Sequence, residues 1–153
     1  MSLVHCLEQE VQVYAGIGYP ALLQRFVLKH GQSFTGSKRP KGIRRSTPKA
    51  CFRNAALLTF AGKGDYYEGY VVCNQLPLPI LHAWVVKDEQ VIDTTLKDPQ
   101  VYEYLGIKFS EEQLQIELLR NKVYGLLDIG MINRTLLRTI DNPLVEEALG
   151  VRK

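Results

Sequence analysis

The middle of the chain constrains the fold most, because three short runs there have the composition of β-strands. Aromatic and β-branched residues dominate 65–73, 80–86 and 90–95. Two prolines lie in the connection 74–79, and a tight polar turn occupies 87–89. We therefore expect three consecutive strands that pair as an antiparallel meander.

Helical patterns precede this meander. Up to about Phe34, apolar residues recur at helical spacing, with a glycine- and proline-containing break before the pattern resumes over 21–29. Glycine, serine, proline and basic residues fill 31–50, which predicts a loop. The short, mostly apolar run 51–61 predicts a further helix that Gly62 ends.

After Leu96 the sequence predicts a return to helix. Ser110 and Gln113 match a capping box at a helix start. A last short helix is expected over 142–150, where a proline follows the first residue and a glycine closes the run. Helices, a meander and then helices indicate an α+β fold with helical segments at both termini, and the length suits a single domain, residues 1–153.

Composition excludes several classes of protein. With 46% apolar and 23% charged residues the chain is neither disordered nor fibrous. Nothing reads as a secretory signal or a membrane-spanning segment, so we expect a cytoplasmic protein without membrane contact. Its three cysteines cannot all pair, which favours free thiols. Because closely spaced pairs of metal ligands and a phosphate-binding loop are both lacking, we expect no metal and no cofactor.

Positive charge is concentrated in one segment. Six of the 19 basic residues lie within 38–49, which holds no acid, while the chain as a whole contains 16 acids. Such a run could recruit an acidic partner, select an anionic substrate or simply solubilise a loop. Nucleic-acid binding is unlikely, since no interleaved aromatic residues or reader motif accompany the run.

Three residues in the middle of the chain have the types that nucleophilic catalysis requires. Cys51 begins a predicted helix, where the positive end of the helix dipole favours a thiolate. His82 and Asp93 lie on successive predicted strands and could serve as base and orienting acid. A two-residue turn at 87–88 or at 88–89, or a four-residue turn over 87–90, places both side chains on one face of the sheet, as opposite or diagonal neighbours. A three-residue turn without a bulge would place them on opposite faces.

At these positions the sequence resembles transglutaminase-like and papain-like cysteine proteins, in particular small stand-alone bacterial or phage forms. The likeness covers roughly a third of the chain. It is carried by 51–55 (Cys-Phe-Arg-Asn-Ala), 67–70 (Tyr-Glu-Gly-Tyr), 82–85 (His-Ala-Trp-Val) and 91–95 (Val-Ile-Asp-Thr-Thr). The resemblance implies a core in which a helix carries the nucleophile at its N-terminus and packs on a small antiparallel sheet.

The resemblance also implies an activity. Cys51 would be the nucleophile, His82 the general base and then acid, and Asp93 the residue that orients the imidazole. Such proteins attack amide or related acyl bonds through a thioester, so a protein, a peptide or a small-molecule amide is the expected substrate. Water as the second substrate gives a peptidase, amidase or deamidase, whereas an amine gives acyl transfer.

Further residues are candidates for binding. Many papain-like members build the oxyanion hole with a glutamine before the cysteine, and Gln32 is the candidate for that role here, beside the backbone N–H of Cys51. The candidates for substrate binding are Trp84, Arg44, Arg45 and Arg53. The alternative function is a non-catalytic interaction module that binds an acidic protein or nucleic acid through 38–49.

Overall fold

The structure, a computed structural model, describes residues 2–19, 21–122 and 124–127. Within these residues it is an α+β fold, as predicted, with four α-helices and a five-stranded antiparallel sheet curled into a half-barrel. The helix expected over 142–150 lies outside the described residues. No helix in the described part of the chain is long and apolar enough to cross a membrane.

The helices begin where the sequence offers suitable caps or breaks. The hydroxyl of Ser2 accepts a hydrogen bond from the N–H of His5, and that of Ser110 accepts one from the N–H of Gln113, which confirms the predicted helix start there. The helices are α1 (Leu3–Gly16), α2 (Leu22–His30), α3 (Cys51–Phe60) and α4 (Glu111–Asn121).

The five strands form one sheet in the order β1-β5-β2-β3-β4, and every neighbouring pair is antiparallel. The predicted meander is confirmed as the consecutive strands β2, β3 and β4. The strands are β1 (Gln32–Thr35), β2 (Asp65–Cys73), β3 (Leu76–Lys87), β4 (Gln90–Ile92) and β5 (Tyr102–Phe109).

Two strands were not predicted. The helical pattern expected up to about Phe34 ends at His30, and the four residues of β1 occupy part of the predicted loop 31–50. The expectation of helix directly after Leu96 was also wrong, because residues 102–109 form β5. This strand pairs with β1 on one side and β2 on the other. Side chains of β5 alternate between the two faces of the sheet, and both faces are buried along most of the strand, which suits a central position.

The turn between β3 and β4 fixes the relation of His82 to Asp93. Lys87 pairs with Gln90, so the turn consists of residues 88 and 89. Both have positive φ, 51° and 64°, as a tight two-residue hairpin turn requires. Of the two registers that the sequence allows, the observed one makes His82 and Asp93 diagonal neighbours.

The sheet is buried on both faces. One face packs against the helices through residues such as Tyr70, Val85 and Ile107. A smaller cluster on the other face contains Tyr67 and Trp84, with Tyr104 from β5. His82, two positions before Trp84 on β3, lies on this second face, beyond the point where β4 stops pairing with β3.

Candidate active site

Cys51 is the first residue of α3, as predicted. Cys51 is 9% exposed, and no side chain caps the start of its helix. The N–H of Asn54 bonds the carbonyl of Ala50 at 2.9 Å, so the three N–H groups before it have no acceptor within the helix. The thiol therefore lies beside unsatisfied donors at the positive end of a helix.

His82 and Asp93 form a buried hydrogen-bonded pair. Nε2 of the imidazole lies 2.7 Å from Oδ2 of the carboxylate, and the two residues are 4% and 1% exposed. Asp93 follows β4 directly, so the hairpin register delivers it to the imidazole. The structure thus shows the diagonal arrangement, one of the alternatives that the turn allowed.

Three further donors hold the Asp93 carboxylate. Its Oδ1 accepts the backbone N–H groups of Thr95 at 2.9 Å and Leu96 at 3.1 Å. Its Oδ2 accepts the hydroxyl of Tyr104 at 2.8 Å. Burial opposes charge on Asp93, but the hydrogen bond and charge of His82, with the two backbone donors, lower its pKa below the ordinary value.

Cys51 is the second group that raises the pKa of the imidazole. Since Nε2 faces Asp93, Nδ1 is the ring nitrogen that remains for the thiol. Burial alone would lower the pKa of His82, but hydrogen bonds to Asp93 and Cys51, together with their negative charges, raise it to about 9. The imidazolium form is thereby favoured at neutral pH.

Trp84 lies beneath the imidazole. It is 1% exposed and stacks on His82 with ring centroids 6.3 Å apart and planes at 17°. Its ring also packs on Gly106, where an added Cβ would come within 2.5 Å of the indole. Trp84 thus supports the imidazole from the core and offers no face to a substrate, contrary to its prediction as a substrate-binding residue.

Gln32 lies on the edge strand β1. The strand pairings place it in the same row of the sheet as His82, with β5 and β2 between them. Its Oε1 accepts the hydroxyl of Tyr67 at 3.3 Å. This contact engages Gln32 with Tyr67, and the role of Gln32 in the oxyanion hole stays a prediction.

The helix that carries Cys51 is fastened to the segment that follows Asp93. Asn54, buried one turn into α3, donates to the carbonyl of Thr47 at 2.8 Å and to the hydroxyl of Thr95 at 2.9 Å. Sequence analysis missed both Asn54 and Tyr104. The sequence signal for Asn54 was that it is the one amide side chain in a short, mostly apolar helix.

The candidate arginines have different positions. Arg45 donates from Nη2 to the carbonyl of Thr95 at 3.4 Å, and Arg44 is exposed on the same loop. Arg53 is also exposed, but it lies two residues beyond Cys51, about 200° around the helix, so it projects away from the thiol. The structure thus places Arg45 against the segment that follows Asp93, whereas Arg53 lies away from Cys51.

The remaining cysteines lie elsewhere. Cys6 is buried in α1 and Cys73 ends β2, and both are free thiols, as is Cys51. Among the residues that the structure describes, no cluster of three histidine, cysteine or acidic side chains could hold a metal ion.

The chain was compared with protein-family models, curated proteins and solved structures. No protein-family model, no curated protein and no solved structure matches the chain.

Proposed function

We propose that the chain is a cysteine-dependent hydrolase or acyltransferase with a papain-like or transglutaminase-like core, acting on an amide bond. The observation that carries this proposal is the buried His82–Asp93 pair, 2.7 Å between Nε2 and Oδ2, with Cys51 at the start of α3 as a further group that raises the pKa of the imidazole. A merely structural histidine needs neither a thiol nor an uncapped helix start beside it. A reducing compartment such as the cytoplasm would keep this thiol active.

The arrangement supports a complete acyl-transfer cycle. The Cys51 thiolate attacks the carbonyl carbon, and the backbone N–H of Cys51 stabilises the oxyanion. The His82 imidazolium gives its Nδ1 proton to the leaving amine as the C–N bond breaks, which leaves a thioester. Neutral His82 then takes a proton from water or an incoming amine, which attacks the thioester and releases the thiol.

Alkylation with iodoacetamide tests the nucleophile. At pH 6.5 we expect Cys51 to react at least about tenfold faster than Cys6 or Cys73, because the His82 imidazolium and the helix start stabilise the negative sulfur that attacks the reagent. Cys73 is the sharper reference, since it is more exposed than Cys51 and exposure alone would make it the faster of the two. Peptide mapping by mass spectrometry gives each rate.

A histidine variant separates activation from accessibility. His82→Ala removes the cation that pairs with the thiolate, so labelling of Cys51 should slow by about tenfold while Cys73 is unchanged. Circular dichroism verifies that the variant is folded. Equal labelling of Cys51 and Cys73 in the wild type, or an unchanged Cys51 rate in folded His82→Ala, would reject the catalytic proposal.

A further inference from the structure

The sequence around Cys51 carries charge of one sign. No acidic residue stands between Glu10 and Asp65. Three exposed bases, Arg44, Arg45 and Lys49, lie on the loop that leads directly into Cys51, and we refer to these three residues as the basic collar.

The structure holds this loop against the segment that follows Asp93. The N–H of Ser46 bonds the carbonyl of Thr94 at 2.8 Å, and the two hydroxyls of these residues meet at 2.9 Å. The guanidinium of Arg45 bonds the carbonyl of Thr95 at 3.4 Å. Arg45 of the basic collar is therefore held against Thr95, two residues after Asp93. Asn54, on the helix that begins at Cys51, bonds the same threonine.

No carboxylate neutralises the basic collar within the part of the chain that the structure describes. The exposed Lys108 shows the contrast, since it lies 3.2 Å from Asp65. In the same loop as the collar, Nε of Arg39 is buried and meets no acceptor among the described residues. Guanidinium groups without a carboxylate partner match carboxylate or phosphate oxygens.

We infer that the basic collar binds an anionic group, a carboxylate or a phosphate, that the acyl substrate carries next to the bond that is cleaved. This inference rests on the proposed function, because it takes Cys51 as the nucleophile. It narrows the substrate class from amides in general to amides with a neighbouring negative charge, and it assigns Arg44 and Arg45 as specificity residues.

A pair of alkylating reagents tests the inference without a known substrate. Iodoacetate and iodoacetamide deliver the same carbon to the thiolate, which displaces iodide and forms a thioether, but only iodoacetate is anionic. The ratio of their rates at Cys51 therefore reports attraction of a negative charge to the site. The rate with iodoacetamide alone reports whether the thiol and its loop remain intact.

We expect the double variant R44Q/R45Q to lower the iodoacetate-to-iodoacetamide ratio at Cys51 by roughly threefold to tenfold, the scale of two charges acting at several ångströms near a protein surface. Dividing by the iodoacetamide rate removes any change in the reactivity of the thiol itself. The matched control is Lys63→Gln, which removes one exposed charge beyond the other end of α3 and should leave the ratio unchanged. In 1 M salt, where the Debye length is about 3 Å, the wild-type ratio should approach that of the double variant.

Competing anions identify the group that is bound. At matched ionic strength, stronger slowing of wild-type Cys51 alkylation by succinate assigns a carboxylate, and stronger slowing by inorganic phosphate assigns a phosphate. Failure of both to slow it, or an unchanged ratio in R44Q/R45Q, overturns the anion-binding inference while leaving the nucleophile in place. If Cys51 reacts no faster than Cys73 with iodoacetamide, the proposed function itself fails.

Discussion

Replacing Asp93 by asparagine is expected to slow acylation of Cys51 by about a hundredfold or more, although the two side chains are nearly identical in shape. Acylation can be followed with p-nitrophenyl acetate, which transfers its acetyl group to the thiolate and releases nitrophenol. The matched control is Asp88→Asn, at an exposed turn position with φ of 51° that asparagine also adopts readily. It should leave acylation unchanged.

The contacts of Asp93 explain why this substitution is so costly. Its Oδ1 is held by the backbone N–H groups of Thr95 and Leu96, which fixes the orientation of an asparagine, with the carbonyl oxygen toward the backbone. The amide nitrogen must then face Nε2 of His82, which has to accept a hydrogen bond. The ring proton moves to Nδ1, and the imidazole can no longer take a proton from Cys51.

Two measurements decide this prediction. The unfolding free energy of Asp93→Asn should show that the variant folds, and nuclear magnetic resonance of the imidazole should show the altered tautomer. Acylation within a few-fold of the wild-type rate in the folded variant would mean that Asp93 has no part in orienting His82.

Glu68→Ala is expected to lower the free energy of unfolding by about 3–5 kcal/mol, because three buried donors lose their acceptor and each orphaned donor costs about 1–3 kcal/mol. Glu68 is fully buried on β2, in the centre of the sheet. Its carboxylate accepts the hydroxyl of Tyr66 at 2.7 Å and the backbone N–H groups of Leu126 and Leu127 at 2.7 and 3.0 Å. Alanine would leave these donors buried without their acceptor.

Urea unfolding at neutral pH measures this loss. Glu103→Ala is the matched control, because Glu103 is an exposed glutamate on the neighbouring strand β5 and its removal should change stability by less than about 0.5 kcal/mol. Glu68→Gln, which keeps an acceptor, should lie between the two. Equal stability of Glu68→Ala and Glu103→Ala would show that the carboxylate contributes nothing to the fold.

The relation of His82 to Asp93 and the place of Cys51 at a helix start could be predicted because their determinants are local. A helix start fixes the environment of Cys51, and one hairpin turn decides whether His82 and Asp93 share a face. Either register of a two-residue turn gives the same answer on the shared face. The structure selects the diagonal arrangement and adds the 2.7 Å hydrogen bond.

The support of the site could not be predicted in the same way, because it depends on strand order. The strand β5 brings Tyr104 to Asp93, and it separates β1, which carries Gln32, from β2. Side chains of 102–109 alternate between the two faces of the sheet, but this short run lies directly before the helix that starts after Ser110 and was predicted as helix with it. Which strand fills the centre of a sheet is decided by contacts distant in sequence.

Titration of the His82 imidazole by nuclear magnetic resonance tests the thiolate–imidazolium pair most directly. In the wild type the imidazole should titrate with a pKa of about 9, because the negative charges of Cys51 and Asp93 hold the proton. Cys51→Ala removes one of these partners, so the pKa should fall, whereas Cys73→Ala should leave it unchanged. A pKa near 6.5 in the wild type, or the same value in wild type and Cys51→Ala, would contradict the ion pair and with it the proposed catalytic site.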